Sequence, residues 1–265
     1  MKYLQTGAIW LLAIFWSSPL LYAFWAAFHT GEYATHFSLT APLTLDNFKT
    51  AMEQAPFFRY MLNTTMVVTL ILVVQLLLCT LAAYAFARFD FFGKGIAFFL
   101  VLLQLMIVPE ILIMKNYQTL ADIGLTDTIL GIGLPYMASA FGIFLLRQTF
   151  MTIPKELDDA ARIEGCSILC VLWKVYVPLS KPTYLAYALV SVSYHWNNFL
   201  WPLVVSNSQD VRPLTVGLAI FGAPESGVEW PIISAATLLS VAPLLLAFLI
   251  FQRQFVNSFL YTGIK

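Results

Sequence analysis

Charge is what this sequence has least of. Its 265 residues include 14 basic and 14 acidic side chains, 11% of the chain, with a formal net charge of zero. Without a basic excess there is no electrostatic footprint for nucleic acid. Cysteine is scarce as well. Cys79, Cys166 and Cys170 form neither a paired framework nor a metal-ligand spacing, and they read as inert reduced thiols. The three histidines, His29, His36 and His195, are scattered and match no His-Glu-x-x-His pattern, so metal catalysis has no support. No Gly-x-x-x-x-Gly-Lys-Ser/Thr phosphate loop occurs, which excludes ATP binding by that device. No Ser/His/Asp arrangement can be located from spacing, and no enzyme is expected. No internal repeat is evident, against secondary-transporter architectures built on inverted repeats.

Apolar side chains are abundant. The chain is 60% hydrophobic and 15% aromatic, with a mean hydropathy of +0.80. No Asp, Glu, Lys or Arg occurs from Tyr3 to Gly31, Tyr60 to Ala87, Thr128 to Leu146, Pro182 to Gln209 or Trp230 to Gln252, and the gap from Gly95 to Met114 is interrupted only by Glu110. A spanning helix takes about 20 mostly apolar residues. Six spans are therefore expected, near 8–28, 61–87, 95–114, 127–146, 183–205 and 231–252. Continuous rather than alternating runs argue for helices and against a β-barrel. The first run lacks a clean small-residue cleavage site and is expected to remain as a helix. Basic residues set the orientation. With the N-terminus inside, ten Lys and Arg fall in the cytoplasm and four outside, and both termini are cytoplasmic.

One segment concentrates the scarce charge. Met151–Ser167 (MTIPKELDDAARIEGCS) contains Lys155, Glu156, Asp158, Asp159, Arg162 and Glu164. Thr152 or its neighbour is expected to cap a helix with Pro154 in its first turn. Glu156, Asp158 and Asp159 lie where the helix dipole favours negative charge, and Gly165 is a natural stop. Such a helix of about 11 residues would be about 16 Å long, too short to span. Ala160 and Ala161 keep one face thin, and Leu157 and Ile168 supply apolar anchors. A solvated loop helix would share these features. The apolar continuation CSILCVLWKVYVPLSKP argues instead for a charged helix held against the membrane.

Asp159-Ala160-Ala161, Gly165 and Val175-Tyr176-Val177-Pro178 resemble the Glu-Ala-Ala…Gly…Ile-x-Leu-Pro signature of permease subunits in binding-protein-dependent ABC importers, with Asp159 in place of Glu and Val177 in place of Leu. Ala82–Phe89, Ile153–Leu157, Trp196–Pro202 and Gln252–Val256 carry the resemblance along the chain, which is most similar to the carbohydrate-uptake branch. The resemblance implies an all-α integral membrane protein with the type I importer permease fold. Residues 1–60 would hold a first helix and external loop, 61–257 a five-helix core and 258–265 a cytoplasmic tail. It also implies that the charged segment is a cytoplasmic coupling helix between spans four and five, docking on a separate ATPase through Glu156, Asp158, Asp159, Ala160, Ala161, Gly165 and Pro178. The expected partners are a second, related permease, two ATPase subunits that bind ATP and Mg, an external solute-binding protein and membrane lipid. This chain itself would hold no cofactor.

The expected function is uptake of a sugar, oligosaccharide or sugar derivative across the bacterial inner membrane by alternating access. Glycerol-phosphate or polyol uptake is the alternative within the class. An ion-coupled carrier would need buried acids or bases, and the spans offer little beyond Glu110 and His195. Polar groups at membrane depth face other helices or a water-filled cavity, which makes His195, Trp196, Asn197, Asn198 and Glu110 candidate pathway residues. Interhelical hydrogen bonding is the plainer reading of each, as it is of Gln75, Gln104 and Ser139. The apolar patch of Val216, Leu218, Ile220 and Phe221 could contact a solute-binding protein or pack on the bundle.

Overall fold

A computed structural model of the chain describes residues 2–34, 38, 41–222 and 229–262. Among the described residues every regular element is helical and there is no strand. Among the described residues three helices are long and apolar enough to cross a membrane: Ile9–Ala27, Phe57–Arg88 and Trp230–Ile250. The last of these continues to Thr262. Two bent pairs bring the number to as many as five.

Phe57–Arg88 is a long uninterrupted apolar element, 32 residues with no internal proline. At 1.5 Å per residue it is about 48 Å long, enough for the hydrocarbon core and both interfaces. Arg88 lies in its last turn, where the helix dipole favours a cation.

The third, fourth and fifth expected spans are interrupted rather than continuous. Lys94–Met106 and Pro109–Asp122 meet at 93°. Proline disfavours helical backbone at the residue before it, and Val108 is accordingly extended (ψ 123°) before Pro109 opens the next turn. Ile129–Tyr136 and Ala140–Thr152 meet at 51°, with Ser139 extended and its side chain accepting from the Gly142 amide at 3.1 Å. The fifth run divides into Lys181–Trp196 and Leu200–Val205. Pro202 accounts for that break, because its ring would clash with the carbonyl four residues back, at Asn198. Asn197 ends the first half, and its side-chain amide donates to the Ser193 carbonyl at 2.8 Å.

The chain forms two compact units. In the unit of Met1–Leu62 with Arg212–Leu246, the first helix ends against Asn47, whose side-chain amide donates to the carbonyls of Ala27 (2.9 Å) and His29 (2.8 Å). Val216 and Phe221 are buried in this unit, so those two members of the apolar patch are packed; the Ile220 side chain lies outside the described residues. Most of the first helix exposes large apolar side chains such as Leu11, Phe15, Trp16 and Leu20, a surface suited to lipid rather than water.

Among the described residues, the unit of Asn63–Val211 with Ala247–Lys265 has two apolar cores. One is built around Cys79, Tyr84, Phe150, Leu172 and Tyr176, the other around Ile71, Leu120, Ile132 and Trp201. Gly142 permits a close approach of helices in the first of these. A Cβ there would lie 2.7 Å from the Tyr187 ring and 2.8 Å from the Cys79 sulfur.

Candidate functional site

The charged segment begins where Pro154 forces Ile153 into extended backbone (φ −75°, ψ 127°). The preceding helix therefore runs through Thr152, whose hydroxyl donates to the Thr149 carbonyl at 2.8 Å. Thr152 is thus not the expected cap, and the new helix starts on Lys155 with no side-chain cap. It covers Glu156–Ile163, eight residues, or about 12 Å. Its end follows the glycine-terminated pattern in detail. Gly165 sits at φ +84°, its amide donates to the Arg162 carbonyl at 2.9 Å, and the Cys166 amide reaches back to the Ala161 carbonyl at 2.9 Å.

The helix has two distinct faces. Glu156, Asp159, Ala160 and Arg162 are exposed, and Ile163 is 87% exposed. Ala161 is half-buried and packs with Cys166 against the Tyr84–Tyr176 core. Asp158 is only 8% exposed. Its Oδ1 accepts from the Tyr176 hydroxyl at 2.5 Å and its Oδ2 lies 3.8 Å from Arg88 Nε. Burial, and then this hydrogen bond, push the Tyr176 phenol above its ordinary range, so it remains a donor. Ile163 is a surface residue that the sequence reading does not single out. An isoleucine four residues beyond Asp159 on the charged face is the signal that could have found it.

Beyond Gly165, Ser167 caps Ile168–Val171 by accepting from the Cys170 amide at 3.3 Å. Leu172–Tyr176 then forms a π-helical turn. Exposed Pro178 follows it and lacks the N–H that a regular helix would use. A hydrogen bond with Cys170 raises the Cys166 thiol above its ordinary pKa.

A second feature is a cavity of about 450 Å³ in the Asn63–Val211 unit. All three interrupted runs contribute to its wall, through Pro109, through Pro135, Tyr136, Ala138, Ser139 and Ala140, and through Tyr194, His195 and Trp201. Irregular backbone at membrane depth is tolerated where it is buried in protein or lines a water-filled space. No Asp, Glu, Lys or Arg lines the cavity among the described residues. Its polar groups are neutral and its aromatic faces many, with Tyr136 4.9 Å from the His195 ring and Tyr194 5.0 Å from it.

Gln75 organises the wall. Its amide nitrogen donates to the Tyr136 carbonyl (2.7 Å) and lies 3.3 Å from His195 Nε2, while its oxygen accepts from the Tyr187 hydroxyl (2.9 Å) and the Ser191 hydroxyl (2.6 Å). Because the amide is a donor, His195 Nε2 is its acceptor and the imidazole proton sits on Nδ1, a buried atom without a hydrogen-bond partner. Gln104 also lines the cavity, and its oxygen accepts from the Ala140 amide at 3.0 Å.

The five pathway candidates separate. His195 lines the cavity, and Asn198 stands behind the wall, hydrogen-bonded to the lining residue Tyr136. Trp196 is buried but does not line it, Asn197 is exposed and bonds its own helix, and Glu110 is exposed beside the lining residue Pro109.

Comparison with known proteins agrees with this architecture. A family described as "Binding-protein-dependent transport system inner membrane component" matches residues 80–260. The arabinooligosaccharides transport system permease protein AraQ of Halalkalibacterium halodurans is 36% identical over 224 residues, covering 84% of this chain and 80% of that protein. The sn-glycerol-3-phosphate transport system permease protein UgpE of Shigella flexneri is 33% identical over 207 residues, covering 78% and 74%. Among solved structures, a chain of a bacterial ABC transporter involved in the import of the acidic polysaccharide alginate superposes with a TM-score of 0.83 at 21% identity, covering 95% of both chains. The match over most of its length places this chain in the family of binding-protein-dependent transport system inner membrane components, the permease subunits of ABC importers.

Proposed function

We propose that this chain is the permease of a bacterial importer that takes up a neutral sugar or oligosaccharide by alternating access, driven by a separate ATPase docked on the Glu156–Ile163 helix. The observation that carries the coupling role is the two-faced geometry of that helix. Its inner face is fixed by Asp158, while Asp159, Ala160 and Ile163 face outward. An exposed face with a small residue beside an apolar one suits close docking of another protein. Pro154, Gly165 and Pro178 set the ends of the segment and so the angle of that face.

The cavity supports the substrate class. Neutral donors and acceptors interleaved with aromatic rings suit hydroxyl-rich ligands. The glycerol-phosphate relative makes an anionic substrate the alternative, but a phosphate calls for cationic partners, and the described wall has none. The proposed assembly adds a second permease, two ATPase subunits holding ATP and Mg, and an external solute-binding protein. The termini and residues 147–181 lie in the cytoplasm in this reading, following the ten-to-four bias of basic residues.

The test is reconstitution in liposomes. The complete complex should import a neutral oligosaccharide only with ATP on the cytoplasmic side, and this chain alone should neither hydrolyse ATP nor transport. ATP hydrolysis by the purified chain free of other subunits would overturn the reading.

A further inference from the structure

We infer that Arg88, Asp158 and Tyr176 form a buried joint that fixes the coupling helix to the end of the long helix Phe57–Arg88, and that Asp158 serves as a positioning residue rather than as an ATPase contact. The inference rests on the permease reading above. Three acidic residues occupy the first turn of the Glu156–Ile163 helix, and the dipole favours all three equally well in water. Glu156 and Asp159 remain exposed, whereas Asp158 turns inward.

The inward carboxylate is engaged on both oxygens. Tyr176 donates to Oδ1 at 2.5 Å, and Arg88 Nε stands 3.8 Å from Oδ2, an ionic contact rather than a hydrogen bond. The Arg88 and Asp158 side chains are 7% and 11% exposed. Arg88 also donates to the carbonyl of Ile153, the residue before Pro154, and its guanidinium lies 4.8 Å from the centre of the Tyr176 ring. Tyr84 and Phe150 close an aromatic collar, with centroids 5.0 and 5.3 Å from Tyr176.

Four chain segments therefore meet here: the end of the long helix, the Ile153–Pro154 entry, the coupling helix and the π-helical turn. The entry is where the segment could swing, since the extended backbone before the proline leaves the helical ladder and is tied back to it by a long bond, from the Ile153 amide to the Phe150 carbonyl at 3.4 Å. Arg88 engages the Ile153 carbonyl and Asp158 together. Moving the helix without the long helix would separate buried opposite charges, which is strongly unfavourable when either is left unpaired. A push on the outer face is thus carried into the membrane helix instead of being absorbed at the entry.

The experiment uses the complete complex in liposomes and reads two quantities, substrate imported per ATP hydrolysed and ATPase subunits retained on purification. Asp158→Asn keeps an acceptor for Tyr176 and removes the charge. The expected result is a loss of about tenfold in uptake per ATP with full ATPase retention. Wild-type uptake per ATP would overturn the joint, and so would loss of ATPase subunits with unchanged coupling in the remainder, which would make Asp158 a docking contact. If Asp158→Asn does not accumulate, Tyr176→Phe decides the matter. It removes one hydroxyl from the joint and should lower uptake per ATP with retention intact, while a wild-type ratio refutes the proposal. A wild-type complex that imports nothing with ATP would sink the permease reading instead.

Discussion

Gln75 uses both amide hydrogens and both oxygen lone pairs on Tyr136, His195, Tyr187 and Ser191. Gln75→Leu removes all four at little change in volume and leaves the buried polar groups around it short of a partner. Each unsatisfied group costs about 1–3 kcal/mol, so the purified complex should melt several degrees lower. Asn197→Leu is predicted to be near neutral, within about 0.5 kcal/mol, because Asn197 is exposed and bonds its own helix. His195→Leu should reduce uptake at unchanged assembly, measured as transport per reconstituted complex, since it replaces a polar ring in the cavity wall. Equal transport by His195→Leu and wild type would make the cavity a packing feature. Hydropathy alone locates polar residues at membrane depth but offers no means of ranking them. The ranking depends on Gln75, which lies on another helix and selects His195 over its neighbours.

The Glu156–Ile163 helix is the element whose C-terminal end is most legible in the sequence. Gly165 stands at φ +84°, and nothing lies within 4 Å of where a Cβ would project, so a substitution there acts through backbone strain and not through a clash. Gly165→Val should cost roughly 1 kcal/mol or more locally and reorient the outer face. Asp159→Lys should reverse a charge on that face. Both variants are predicted to insert normally and to lose ATPase subunits on purification, read by co-purification ratio. The start of the helix departs from expectation at Thr152, because the preceding helix uses that residue before Pro154 ends it. The contrast between Asp158 and Asp159 is not legible in the sequence either. It is set by Arg88 and Tyr176, which are remote in sequence and adjacent only in the fold.

For the whole molecule, gaps between charges locate the apolar runs, and the helical class follows from their continuity. The interruptions at Val108–Pro109, Pro135–Ser139 and Asn197–Phe199 escape a hydropathy reading, which averages over single prolines and asparagines. Residues at or beside those interruptions line the cavity. Orientation is the property of the whole chain that is most directly testable. A cysteine at Ile163, 87% exposed in this chain, should resist an impermeant thiol reagent in sealed cells and react in opened membranes when the chain is expressed without the ATPase; labelling from outside would invert the topology.

The central claim is that force from a separate ATPase enters through the outer face of the Glu156–Ile163 helix. The most direct measurement is ATP-driven uptake of a labelled neutral oligosaccharide by the complete reconstituted complex, with Gly165→Val beside wild type at equal membrane insertion. The account predicts ATP-dependent uptake by wild type and a loss of about tenfold or more in the variant, as expected when a positioned contact is displaced. Wild-type uptake by Gly165→Val would contradict it.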